Sequence, residues 1–347
     1  MLNKKILFFL QACVLMGVLI FYLISMYPSY KNNDSPETAA CAYTLGIAHP
    51  PSYPLYTMAA KIFTWMPLGN VAFRVNLFSV LLSIAALFLS FFILEKNSKM
   101  LNMTGVKYAS FASVLILAFS GIFWSQAIEA KGGIYMLNLV FIIIILHLCF
   151  SLTERFAPKK MFLLSYVTGL SLTNHWPSVV ILLPVLAYFY FIYREHIKPK
   201  NFILHALFFI TGLSVYAFLP VRAGTEGVFI FMVKPNTWDG FWWTVLRGAY
   251  YGDNAALSSV FTKQVNEAIS VLLKNYSLFI LATIPGVVII FRKNKRAFGL
   301  LTAAFFIIFL SVVFFNRATD DILWVIGVFI RWPRLSRHNL ERIKVDS

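Results

Sequence analysis

Hydrophobic residues run through this chain in long blocks, separated by short clusters of polar and charged residues. A bilayer core about 30 Å thick needs roughly 20 apolar residues in a helix. By that measure the pattern predicts membrane spans at 6–27, 71–94, 108–128, 134–152, 161–174, 177–193, 202–220, 276–291, 298–315 and 322–330. The fifth is short and is cut from the sixth by Asn174-His175-Trp176-Pro177, and residues 55–68 form an apolar patch too short to span. That patch is expected to lie at the interface or to re-enter. The predicted fold class is an all-α polytopic membrane protein of about ten transmembrane helices, with residues 1–330 as one transmembrane domain and 331–347 as a basic cytoplasmic tail. The first apolar run starts like a signal peptide, but it is long and no small-residue cleavage site follows, so it reads as a retained helix.

Composition agrees: 59% of residues are hydrophobic and 13% charged, against about 25% charged in soluble domains. A cytosolic enzyme, a disulfide scaffold and a disordered chain are thereby excluded. Of the three cysteines only Cys41 falls outside an apolar span, and it is expected to face water.

The net charge of +16 would suggest nucleic acid in a soluble protein. With the N-terminus placed in the cytoplasm, however, two thirds of the basic residues fall in cytoplasmic connections and the tail, as the positive-inside rule requires. The charge is a topology signal, and no nucleic-acid partner is expected. Nine of the 14 acids then lie on the opposite face, together with the two long loops, 28–70 and 221–275. Loops on a rigid scaffold are where chemistry concentrates. The short basic hairpins suit a bacterial inner membrane with its site facing the periplasm, and a lumenal site in the endoplasmic reticulum has the same sidedness.

In the first loop Asp34 and Glu37 are three residues apart, with Pro36 suited to the first turn of a helix. One reading makes Asp34 a helix cap and Glu37 a solvated acid. The other makes them a carboxylate pair, one acting as general base towards a hydroxyl. His49 precedes two prolines and is read either as a packed loop residue or as part of the site. Glu129 and Lys131, Asn174 and His175, Arg222 and Arg247, and the aromatics Tyr53, Trp238 and Tyr250 fall on the same face. Singly, the aromatics fit an interfacial belt and Arg222 a snorkelling side chain. Together they suit a sugar and a phosphate, since arginine can meet phosphate in two places and aromatic faces match a sugar ring or an isoprenoid. A divalent cation between Asp34 and Glu37 is a further option, although no metal site is assigned.

The run Asp34-Ser35-Pro36-Glu37, followed by Leu45-Gly46-Ile47-Ala48-His49-Pro50-Pro51-Ser52-Tyr53-Pro54-Leu55-Tyr56, resembles the first-loop motif of the transmembrane protein 260-like family. These are membrane glycosyltransferases of the GT-C superfamily, related to protein O-mannosyltransferases. Arg74-Val75-Asn76, Trp124-Ser125-Gln126 with Glu129, Tyr135 and Asn138, Thr173-Asn174-His175 and Pro220-Val221-Arg222 follow in the same order. The resemblance covers about residues 30–255. It implies a GT-C fold, a polyprenyl- or dolichyl-phosphate sugar donor, a hydroxyl acceptor on protein or glycan, and an acidic residue of the first outer loop at the active centre. It makes Asp34 the leading base with Glu37 beside it, and Arg222 a candidate for the donor phosphate, helped by Arg247, Lys131 or His49. Tyr53, Glu129, Asn174, His175, Trp238 and Tyr250 would shape the substrate site. The expected reaction is transfer of a mannose-like sugar with inversion. Pro36 and Ser52 depart from the family by standing where glycine is expected, and Lys131-Gly132-Gly133 replaces a more acidic stretch. Family members are often longer, so this is expected to be a truncated or reduced member. A lipid-linked substrate transporter and a catalytically inactive scaffold are the alternatives; for the former, His147 and His205 are the main ionisable groups inside spans.

Overall fold

The structure is a computed structural model that describes residues 4–31, 33–100, 106–154, 156–180, 182–196, 199–250 and 257–276, with isolated positions beyond. Thirteen α-helices run through these residues: α1 Lys4–Ser25, α2 Ser35–Thr44, α3 Pro54–Phe63, α4 Val71–Met100, α5 Val106–Ala118, α6 Gly121–Ala127, α7 Ala130–Glu154, α8 Pro158–Val180, α9 Leu183–Ile192, α10 Pro199–Leu213, α11 Phe218–Ala223, α12 Trp238–Val245 and α13 Leu257–Tyr276. No strand occurs among the described residues; an isolated parallel bridge pairs Ile47 with Ile230.

Four stretches among them are long and apolar enough to cross a membrane: Lys5–Ser25, Val71–Ile93, Ala130–Cys149 and Asn201–Ala223. The chain is a multi-pass membrane protein. A helix that is hydrophobic on every side must be buried in protein or in lipid, and both cases occur. Ala130–Cys149 is 72% buried and forms the centre of the bundle between α4 and α8, whereas Lys5–Ser25 and Asn201–Ala223 are each 17% buried and turn apolar side chains outward. The main core joins Tyr22, Leu87, Phe91, Phe123, Leu139, Ile142 and Leu164.

Two predicted spans take a different form. The apolar run 108–128 breaks into Ser110–Ala118 and Gly121–Ala127, bent by 63°. Ser120 at the break is extended, its hydroxyl turns back to Leu117 O, and Asn275 Oδ1 accepts from Ile122 N at 2.8 Å. Serine followed by glycine favours such a break. The segment 161–193 forms α8 and α9, with the interruption at His175 (φ −136°, ψ 83°) inside α8. Pro177 lacks the donor that a continuing helix needs and crowds the carbonyl four residues earlier. The patch 55–68 is the short α3, buried along Pro54, Tyr56, Thr57 and Ala60. Cys41 does not face water: it is buried on α2, while Cys13 is exposed on α1. The predicted spans 276–291, 298–315 and 322–330, the tail 331–347 and Asp253 lie outside the described residues, apart from isolated positions in the first two.

Candidate functional site

The first loop folds into two short helices, α2 and α3, seated on the ends of α4 and α7 by a core of Cys41, Ala42, Tyr53, Tyr56, Val75, Phe78 and Ile134. Asp34 occupies the N-cap position of α2 but makes no side-chain cap hydrogen bond. Its carboxylate is thus not spent on the helix. At the other end of α2, Leu45 is left-handed (φ 52°), and Gly46 N donates to Cys41 O at 2.8 Å. A Cβ on Gly46 would lie 2.4 Å from Phe229 O, so only glycine lets the large loop come this close. Ile47 N then donates to Phe229 O at 2.8 Å and Phe231 N to Ile47 O at 3.0 Å. The two long loops are thereby stitched together beside His49, whose ring meets the edge of Phe231 at 6.2 Å.

His49 is the hub. Glu37 accepts from His49 N at 2.6 Å, and both of its carboxylate oxygens lie 2.9 Å from His49 Nδ1. On the other side of the ring, Nε2 is 2.8 Å from the Tyr53 hydroxyl, 3.2 Å from Lys131 Nζ and 3.9 Å from Asp34 Oδ2. Lys131 Nζ pairs with Asp34 Oδ2 at 2.8 Å and stands over the rings of Tyr53 and Tyr135. The Asp34 side chain remains 46% exposed, whereas that of Glu37 is 6% exposed. Burial alone would raise the Asp34 pKa, but the charge and hydrogen bond of Lys131 outweigh it and bring it below the ordinary aspartate value. Asp34 is therefore a carboxylate at neutral pH, open to solvent and braced by a cation.

Lys131 reaches this place because the start of α7 packs against α3 and α4 at van der Waals limits. Tyr56 donates its hydroxyl to Ala130 O at 2.8 Å, and a Cβ on Gly133 would lie 2.3 Å from Ser79 Oγ and 2.4 Å from the Tyr56 hydroxyl. The glycines beside Lys131 are thus a packing requirement. Glu129, two residues earlier, is buried; it accepts from Lys31 Nζ at 3.3 Å and from Ser35 Oγ at 3.2 Å, tying α2 to the same corner.

The kink in α8 brings in the remaining pieces. Asn174 Nδ2 donates to Ile134 O and to Asn138 Oδ1, and Asn138 Nδ2 donates to His175 O at 2.8 Å. His175 is thus turned out of the helix, stacked on Tyr53 at 5.6 Å and edge-on to Tyr135 at 5.4 Å. Arg247, left-handed at φ 66° after α12, is close enough to act electrostatically on His175, as is Lys131.

Residues 34–199 match the family model described as the protein O-mannosyl-transferase TMEM260 N-terminal domain. The chain is similar to the TMEM260-like family over this stretch. It is 28% identical over 223 residues to protein O-mannosyl-transferase TMEM260 of Mus musculus, covering 61% of this chain and 30% of that protein. Against protein O-mannosyl-transferase tmem260 of Dictyostelium discoideum it is 26% identical over 281 residues, covering 73% of this chain and 33% of that protein. The chain thus spans about a third of the length of these relatives. Both are eukaryotic proteins and lend no support to the bacterial membrane expected from the basic hairpins. No solved structure matches.

Within the matched region, Asp34, Glu37, His49, Tyr53 and Lys131 meet in one cluster, with His175 stacked on Tyr53 and Glu129 joined to it through Ser35. Asn174 serves the bend of α8. Arg222 is turned differently: its Nε donates to Leu45 O at 3.0 Å and its Nη2 to Thr44 O at 2.9 Å, so it braces the C-terminal end of α2. Trp238 is 75% exposed with its ring edge against Trp242, and Tyr250 closes a short 3-10 turn, Gly248–Tyr250. Ser52, standing where glycine is expected, has φ 79°, the backbone region that favours glycine. Lys31 and Ser35 were not singled out in sequence, since their partner Glu129 is more than 90 positions away.

One atom each of Asp34, Glu37 and His49 lie within 4.8 Å of one another, which is compact enough for a metal ion. The donors do not fit that use. Both Glu37 oxygens face His49, and the ammonium of Lys131 already sits among the outward-facing atoms.

Proposed function

We propose that this chain is a membrane glycosyltransferase that moves a mannose-like sugar from a polyprenyl-phosphate donor to an acceptor hydroxyl, with inversion, on the non-cytoplasmic face. The observation that carries the reading is Asp34: a half-exposed carboxylate at one end of a transmembrane bundle, kept ionised by Lys131 at 2.8 Å. In the reaction, the acceptor oxygen attacks the anomeric carbon while Asp34 takes its proton. The bond from that carbon to the lipid-phosphate oxygen breaks, and the lipid phosphate leaves as an anion. Lys131, and at longer range Arg247, supply positive charge where that anion develops, which is commonly the largest catalytic contribution. The stacked rings of Tyr53 and His175 offer a flat wall for the sugar. The named relatives support the sugar and the class of acceptor. Arg222, with its donors on the loop backbone, acts by holding α2 in place. No step runs through a metal, because Lys131 supplies the cation.

The test is transfer by purified protein from a panel of polyprenyl-phosphate sugars, with and without a chelator, beside Asp34→Asn. Turnover that survives chelation and falls at least about a hundredfold in the variant is expected. Near-normal transfer by Asp34→Asn removes Asp34 as the base, and donor binding without turnover in the native protein favours the scaffold reading.

A further inference from the structure

The two carboxylates of the first loop sit in opposite surroundings. Asp34 is open, whereas Glu37 is closed off and gives its oxygens to the main-chain amide and the Nδ1 of one residue, His49. An ionised carboxylate only accepts, so Nδ1 must carry the ring hydrogen, and Nε2 presents its lone pair to the Tyr53 hydroxyl with Asp34 Oδ2 beside it. We propose that Glu37 is a positioning residue and that His49 is the second proton carrier, relieving Asp34 of the proton it removes from the acceptor. The inference rests on the glycosyl-transfer reading for its chemistry and on geometry alone for the state of His49.

The proton balance is simple. The hydroxyl proton passes to Asp34 as the new glycosidic bond forms and the bond to phosphate breaks. It then passes from Asp34 Oδ2 to His49 Nε2, 3.9 Å away in the resting site. Asp34 is ionised again, and the imidazolium lies between Glu37 and the Tyr53 oxygen. Tyr53 donates to Nε2 at 2.8 Å before the transfer and turns its hydroxyl to accept afterwards. The polar groups facing the ring are Glu37 from α2, Asp34 at the head of α2, Tyr53 at the head of α3 and Lys131 from α7. The ring of Phe231 from the large loop lies edge-on to His49 at 6.2 Å.

Glu37→Gln keeps an oxygen acceptor for the His49 amide and ring and removes only the charge. The expected result is a kcat lowered about tenfold to a hundredfold with KM within about twofold of the native value. His49→Asn should lower kcat at least as much. The decisive variant is the double one: if Glu37 acts through His49, Glu37→Gln adds nothing once His49 is replaced, whereas multiplying losses would make Glu37 an independent catalytic group and overturn the proposal. The ring state is read without turnover, from the nitrogen-15 shifts of His49 in the full chain in detergent at neutral pH, assigned by difference from His49→Asn. A hydrogen on Nδ1 is expected, and a hydrogen on Nε2 in the native protein overturns the proposal. If Nδ1 carries the hydrogen but no lipid-phosphate sugar is turned over by the native protein, the glycosyl-transfer reading fails, and the proton-carrier role of His49 fails with it.

Discussion

Arg222 separates two physical accounts of one residue. In the sequence it stands where a donor phosphate would be met; in the fold its guanidinium spans Leu45 O and Thr44 O, the carbonyls left over where α2 ends in a left-handed residue. A hydrogen bond from a charged donor is worth about 1.5–3 kcal/mol when buried. The guanidinium is only part-buried, and water will replace some of each bond, so Arg222→Met should cost about 2–3 kcal/mol in total rather than twice the single-bond figure. For a chain of this size that is a fall of roughly 3–4 °C in Tm, measured by thermal unfolding in detergent. Arg222→Lys discriminates further. An ammonium is a point charge that serves a phosphate well but does not reproduce the fork that reaches two carbonyls. It should restore less than half of the lost stability. The reasoning is refuted if Arg222→Met melts like the native protein while its KM for donor rises, or if Arg222→Lys restores stability in full.

Two further predictions rest on contacts of the same corner. Gly133→Ala places a methyl group onto Ser79 Oγ and the Tyr56 hydroxyl and should cost about 1–3 kcal/mol by thermal unfolding; the loss should shrink in a Tyr56→Phe, Ser79→Ala background, and full additivity would contradict the stated clash. Asp34 has a pKa below its unfolded value, so the stability from its pairing with Lys131 is present above the unfolded aspartate pKa and is lost as pH falls through the lower folded one. Because the carboxylate is nearly half exposed, this contribution should be below about 1 kcal/mol. Asp34→Asn should therefore flatten only a small part of the acid limb of the unfolding curve, and an unchanged limb would argue against the pairing.

Much of this protein was legible along the chain. Apolar blocks of membrane-spanning length define α1, α4, α7 and α10 because lipid tolerates only a backbone that satisfies itself, and a helix does so within one segment. The first-loop motif marked Asp34, Glu37, His49 and Tyr53, and the fold brings these four together. The run Asn174-His175-Trp176-Pro177 also placed the break before Pro177, whereas the 63° bend at Ser120-Gly121 lay inside a run that read as one continuous span.

What the linear pattern left open was which polar groups meet. Asp34 and Glu37 are three residues apart and chemically alike, and nothing local says that one stays in water while the other is buried against His49. That division depends on Lys131, nearly a hundred positions away, arriving because Gly133 lets α7 settle on Tyr56 and Ser79. Nor does the sequence say that Arg222 faces the two carbonyls at the end of α2. Hydropathy is a property of each segment and survives in the sequence. The state of a carboxylate or a guanidinium depends on distances of about 3 Å between segments, and those exist only after the helices have packed.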